Sequence, residues 1–497
     1  MRFYRQLLPI ILGLAILTIT AKPSTAQYKE MKGAPAVVDF SEKIRAWDGF
    51  GFNYVETSQT TNYQEWPQDY GGFSLLDEQE KQKIIDLVFG KNGLQPGLVK
   101  MFLDPWHQDS PEGEFDHTTT TVNMREFVRR GLEKTQQRDA SIEIVTTLYG
   151  PPAWATKQKF LRGRDLDPKM KDELADYMID WIKFLKEEEE FPVKYLSLHN
   201  EGEDWKRWPK DGSDGNIGTG HDYNLFWPPQ QVVEFLEYLP GELENAGLED
   251  IGVTPGETTG WFRFYNWGYA NAIYNSKEAT ENLGLITSHG FFEPTYYDHR
   301  WFNTHMSAGI DLIREKRPEI HAWVTSTSWS DMDAKFVREI YGNIYSSKVN
   351  GLIPWAGIQR PEQWVGGDPN PGCAIQVYED GSYEVRRGYY FYKQVTRAGQ
   401  PDMAVVQTSS MDAMTAIIAF ASNGTENPNA FVVINTSDET RPLNIEIRGT
   451  EGKTFKAYRT NRENERYKDI GTFKADEGQQ LFYEAPKGSV TTFYEKE

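Results

Sequence analysis

From residue 46 to residue 357, short apolar runs alternate with longer stretches in which apolar side chains recur every three or four positions. The runs predict eight strands, over 47–54, 98–106, 142–149, 193–201, 251–257, 283–291, 321–328 and 350–355, and the stretches between them predict helices. Strands separated by helical pattern pair in parallel through right-handed crossovers. Eight such units close most naturally into a (β/α)8 TIM barrel. One helix can be read closely. Asp167 is a good N-cap, Pro168 takes the first helical position, and Met170, Leu174, Tyr177, Met178, Trp181, Ile182 and Leu185 form one apolar stripe. The acidic run 187–190 that ends it reads as a solvated face.

Beyond about residue 400 the pattern changes to closely spaced alternating runs at 414–421, 430–435, 443–447, 455–459, 481–484 and 490–494, with turn signals such as Ser422-Asn423-Gly424 between them. This texture predicts an antiparallel β-sandwich. The strand-like segment 36–40, ahead of the barrel, is expected to pair into it. The predicted organisation is a leader over 1–26, an N-terminal strand segment over 27–45 that joins the sandwich, a barrel over 46–395 and a sandwich over 396–497.

The leader carries Arg2 and Arg5, an apolar stretch from Leu7 to Ile19 and the small-residue end Ser24-Thr25-Ala26. These are the parts of a secretory signal peptide, so a mature protein that is soluble and either secreted or periplasmic is expected. The stretch is shorter than the ~20 residues a membrane span needs, and no other segment is longer and as apolar. Removing residues 1–26 takes away Arg2, Arg5 and Lys22 and no acid, so the formal charge of −20 becomes −23. Nucleic acid is thereby disfavoured as a partner. The single cysteine, Cys373, cannot form an internal disulfide, so stability must come from a large core. A monomer is expected. Aromatics make up 14% of the chain, a supply that suits stacking on sugar rings as well as core packing.

Catalytic groups of such a barrel sit at the C-terminal ends of its strands. The predicted ends present Asn53 and Glu56, Asp104 to Trp106, Tyr149 to Trp154, Asn200-Glu201, Glu257, His289 and Glu293, Ser326 to Trp329, and Trp355. Glu201 is the sharpest candidate: the run Tyr195 to Leu198 reads as a buried strand that stops at Asn200-Glu201. A carboxyl group there, walled by Trp205 and Trp208, would be partly desolvated and suited to give up a proton near neutral pH. No cofactor and no metal is expected. The eight histidines show no His-Glu-x-x-His spacing, Asp211 to Asn216 lacks the ligand order of a calcium loop, and Gly49-Phe50-Gly51 is too short for a dinucleotide fingerprint.

Taken with Trp47-Asp48-Gly49-Phe50-Gly51, Tyr149 to Ala155, Asn200-Glu201 and the closing run Gly388 to Tyr392, this order of motifs resembles glycoside hydrolase family 30 of clan A. The resemblance spans nearly the whole mature chain. It implies a barrel with an attached β-sandwich built from both chain ends, and activity on β-glucans, β-xylans or β-1,6-galactans. It also implies Glu201 as general acid/base and Asn200 as the amide that hydrogen-bonds the sugar 2-hydroxyl. The departure lies on the seventh strand, where the family's nucleophilic glutamate is matched by Ser326 in Trp323-Val324-Thr325-Ser326. A serine there puts double displacement through position 326 in question.

The leading expectation is an exported glycosidase acting on a β-linked plant or algal polysaccharide or its oligosaccharides. Glu257 and Glu293 are the first candidates for a second carboxylate, with Asp104 and Asp331 behind them. Asn200, Asp104, Trp154, Trp205, His289 and Trp355 are expected to line the sugar cleft, and the space vacated at Ser326 could admit a water for direct displacement. The alternatives are a catalytically impaired carbohydrate-binding protein on a glycosidase scaffold, and an ordinary retaining enzyme in which the serine is an introduced substitution.

Overall fold

The structure, a computed structural model, describes residues 32–57, 69–161, 163–204, 225–291, 305–360 and 372–496. Eight strands, Gly49–Asn53, Leu98–Leu103, Glu143–Leu148, Val193–Ser197, Gly252–Thr254, Ile286–Ser288, Ala322–Thr327 and Gly351–Pro354, pair in parallel in chain order, and the last pairs back onto the first. Parallel bridges Val253 to Leu283 and Thr258 to Ser288 join the fifth and sixth staves and close the ring. Each strand falls inside its predicted range. The continuous ladders stop short of the predicted C-terminal ends, although single parallel bridges such as Asn200 to Glu257 persist beyond them.

The lower interior is filled by Leu98, Val145, Leu285, Trp323 and Ile353, with Tyr195 edge-on to Trp323 at 5.1 Å. Such a plug makes the barrel a packed core whose chemistry is confined to its upper rim. Gly51 is required on the first strand, since a Cβ there would stand 2.5 Å from Cγ1 of Ile353.

Asp167 caps a turn of 3-10 helix, Pro168–Met170, by accepting from the Lys169 N–H at 3.1 Å. The α-helix Lys171–Lys183 follows and buries Leu174, Tyr177, Met178, Trp181 and Ile182. The acidic run corrects the solvated-face reading at one position. Glu189 turns inward and takes both Arg125 and Arg129, so one carboxylate clamps the preceding helix from the side, while its three neighbours are exposed.

The remaining large sheet has nine strands, antiparallel in all but one pairing: Ala34–Ala46 runs antiparallel to Ala404–Ser410 and parallel to Arg441–Arg448. The strands at its two ends, Lys468–Lys474 and Gln480–Ala485, meet through Phe473 and Tyr483 at 5.6 Å, so the sheet curls around a core of its own. Thr415–Ala421 is buried on both faces. Ile417 and Ala419 join the sheet's core, whereas Ala416, Ile418 and Phe420 pack into the barrel's, where Phe420 lies 5.3 Å from Trp47. The helix Arg387–Thr396 adds polar ties, with Tyr392 donating to the Gly51 carbonyl at 2.7 Å and Gln394 to Thr460 Oγ1 at 2.9 Å. A small sheet of Ile358–Gln359, Ile375–Val377 and Tyr383–Val385 was not anticipated, because strands of two or three residues carry no periodicity. No helix among the described residues is long and apolar enough to cross a membrane.

Candidate active site

Past its ladder, the fourth strand stays tied to the fifth: the Glu257 N–H donates to the His199 carbonyl at 2.8 Å, and the Glu201 N–H to the Glu257 carbonyl at 2.7 Å. These bonds fix the backbones of both glutamates to each other. Glu201 itself is held at φ +52°, a left-handed conformation that costs a non-glycine residue energy and persists only where the surroundings enforce it. Its side chain is 15% exposed and places Oε1 2.8 Å from His289 Nδ1.

The imidazole is held from behind. His289 Nε2 lies 3.0 Å from Glu257 Oε2, which also accepts from Lys100, while Glu257 Oε1 accepts from Thr147 at 2.6 Å. Lys100 reaches further, to Ser326 Oγ at 3.2 Å and Asn200 Oδ1 at 3.5 Å. Six staves of the barrel therefore converge in one network: Lys100 from the middle of the second strand, Thr147 from the third, Asn200 and Glu201 from the fourth, Glu257 from the fifth, His289 from the sixth and Ser326 from the seventh. Lys100 escaped the sequence reading, although a lysine inside Leu98-Val99-Lys100-Met101-Phe102 is a signal in itself, since an ammonium enters an apolar strand only with a partner.

Burial would push the Glu257 carboxyl up, but the Lys100 ammonium and the His289 hydrogen bond outweigh it and bring the group down to about 2. Burial opposes the charge on His289, and the bonds to Glu201 and Glu257 overcome that and raise it above its ordinary value. His199 is lowered to about 3 by burial and accepts the Gly202 N–H on Nδ1 at 3.1 Å, so it stays neutral.

Two expectations are corrected here. Glu257 is in the network, but it is fully buried with both oxygens engaged, so it has no open edge to offer a substrate. The space at Ser326 is not vacant either, for the serine is fully buried under the Lys100 ammonium.

Asp104 lies apart from the network, buried and accepting from Thr57, the Trp106 N–H and Thr120; burial raises it to about 6. Asp331 is exposed and paired with Lys335 at 2.8 Å. Trp154 is 9% exposed and donates to the Gln108 carbonyl at 3.1 Å, and Trp355 is half-buried against Tyr149 and Phe102. Trp205, Trp208, Glu293 and the 211–216 segment lie outside the described residues. Among the described residues no cluster of three or more His, Cys, Asp or Glu side chains could hold a metal ion.

Glu56, beside Asp104, gives a pH prediction. Burial, then Asp69, raises its carboxyl from 4.5 to about 8. A raised acid is neutral in the folded protein, so its contribution is fully present below pH 4.5 and is lost as pH rises towards 8. Stability should therefore decline across that window with a slope approaching about 1.4 kcal/mol per pH unit, and Glu56→Gln should remove that part of the slope. Urea unfolding of both proteins at pH 5 and pH 8 checks this; identical slopes would contradict it.

No family model matches the chain, and no curated protein does. Solved structures do. A GH30 endoxylanase from Clostridium papyrosolvens C71 superposes with a TM-score of 0.66 at 15% identity, covering 93% of this chain and 100% of its own. The endo-β1,6-glucanase BT3312 gives 0.67 at 15% identity over 94% of each chain. A conserved exported protein from Bacteroides fragilis gives 0.66 at 14% identity, with 92% and 99% covered. At these identities the likeness establishes the fold: a (β/α)8 barrel with an appended antiparallel-rich sheet, as in family 30 of the glycoside hydrolases.

Proposed function

We propose that the protein is an exported glycoside hydrolase acting on a β-linked polysaccharide or its oligosaccharides, with Glu201 as general acid. The observation that carries this reading is the placement of Glu201, a partly open carboxyl at the end of the fourth barrel strand, against a buried His289 that is braced by Glu257. Glu201 and His289 share a proton across a 2.8 Å contact, and when it resides on Oε1 it is placed for delivery to a glycosidic oxygen entering from the rim. On this reading Asn200, buried beside Lys100, takes the role the family resemblance implies for it, that of the amide meeting the sugar 2-hydroxyl. Two of the proteins that share the fold are an endoxylanase and an endo-β1,6-glucanase, which supports a β-glycan as substrate. Export rests on the character of residues 1–26, and a neighbour in fold described as exported supports it.

The test is incubation of the purified mature protein with β-glucans, β-xylans and β-1,6-galactans, with products read by mass. Shortened products support the reading. Neither product nor binding on any glycan would sink it.

The filled space at Ser326 favours a second reading, a sugar-binding protein on a disabled retaining scaffold. Ser326→Glu separates the two. It should lower hydrolysis if the native protein works by single displacement. It should create hydrolysis with retention, read by NMR of the first-formed anomer, if the serine marks a lost nucleophile. In the latter case azide or formate should partly rescue the serine form on an activated glycoside.

A further inference from the structure

We infer that Lys100 is a positioning residue that governs the proton shared by Glu201 and His289, its charge acting two hydrogen bonds away against that of Glu257. Its relevance to catalysis rests on Glu201 being the general acid; the charge coupling itself does not.

The charges in this closed space can be counted. Lys100 and Glu257 have no exposed side-chain surface and His289 has 3%, so no solvent screens them. With Lys100 cationic and Glu257 anionic, Glu201 and His289 hold one proton between them if the four groups are to sum to zero. That proton has two positions. On Nδ1 it makes an imidazolium beside a carboxylate; on Oε1 it makes a neutral imidazole beside a carboxylic acid. The second form is the one a general acid needs, and passage between the two moves a proton along a single hydrogen bond without altering net charge.

The other groups that face the imidazole do not upset this count. His199 on the fourth strand is neutral, and Phe291 presents its ring at 5.4 Å. Lys100 is thus the cation, among the described residues, that balances Glu257. Remove it and Glu257 stays buried against His289 as an uncompensated anion, which strengthens the hold of His289 on its proton, so the imidazolium persists to a higher pH.

A lysine that merely fills the barrel would behave differently. Its ammonium sits over the Phe102 ring, 4.6 Å from the centroid, and loss of that contact alone would lower stability without moving the titration of His289.

The experiment is NMR titration of the His289 ring in the full mature protein with labelled histidine, the signal assigned with His289→Gln. Lys100→Met should raise the His289 midpoint by about one pH unit or more, a factor of about ten in proton affinity, and Lys100→Arg should leave it near the wild-type value. An unchanged midpoint in folded Lys100→Met overturns the inference. Should Lys100→Met fail to fold, the comparison is made in the Glu257→Gln background, where no anion is left uncompensated. There Lys100→Met removes a cation beside His289 and should again raise its midpoint; no rise overturns the inference. On any glycan the wild type hydrolyses, the alkaline limb of kcat/KM should move up together with the midpoint. A midpoint that moves while the limb stays put supports the role of Lys100 and contradicts the assignment of Glu201 as acid.

Discussion

Glu201→Gln is expected to lower hydrolysis of any β-glycan the protein cleaves by roughly 10²–10⁴-fold, the range a positioned general acid contributes. The substitution keeps the length and shape of the side chain. The amide still meets His289 Nδ1, because one of its two orientations presents an oxygen and the other an N–H. The backbone at +52° asks nothing of the carboxyl, so the fold has no reason to change. What disappears is the transferable proton. Turnover should collapse while melting temperature and glycan affinity stay close to wild type. Undiminished turnover would remove Glu201 from the mechanism.

The largest stability effect should come from Glu257→Ala, at about 3–5 kcal/mol. The carboxylate is the acceptor for Lys100, His289 and Thr147 together, and none of these reaches solvent there. Deleting it leaves an ammonium buried without its counter-charge and two polar groups without their partner, and both losses carry the full desolvation penalty. Removing both charges should cost far less. Buried ion pairs replaced by apolar groups of similar volume are often near neutral, so Lys100→Met with Glu257→Leu should recover most of the loss. Urea unfolding of the two singles and the double measures this. A Glu257→Ala cost under about 1 kcal/mol would mean that the pair does not hold the barrel's upper layer together.

The barrel was legible because its strands are short apolar runs and its helices carry stripes, and those periodicities survive in any sequence that buries both elements. The run from Tyr195 to Leu198 and the stripe from Leu174 to Ile182 are where the pattern placed them. The strands Ala404–Ser410 and Lys468–Lys474 were missed: the first loses its apolar character after Val406, and the second is largely polar at the sheet's edge. At the site, Glu201, Asn200, Glu257, His289 and Ser326 could be named because strand ends are visible in a sequence. Their state could not. Whether Glu257 is open or enclosed depends on Lys100, 157 residues away in the chain and in the middle of a strand whose end alone had attracted attention. Glu189 follows the same logic, since nothing local distinguishes it from its exposed neighbours until Arg125 and Arg129 are brought beside it.

The central claim, that Glu201 supplies a proton to the leaving group, is tested most directly by comparing two leaving groups. An aryl β-glycoside with a strongly acidic phenol departs without protonation, whereas a sugar alcohol in a glycan does not. Steady-state rates for wild type and Glu201→Gln on both substrates should show a loss of orders of magnitude on the glycan and a far smaller loss on the aryl glycoside. Equal losses on the two, or no loss on the glycan, would contradict the account.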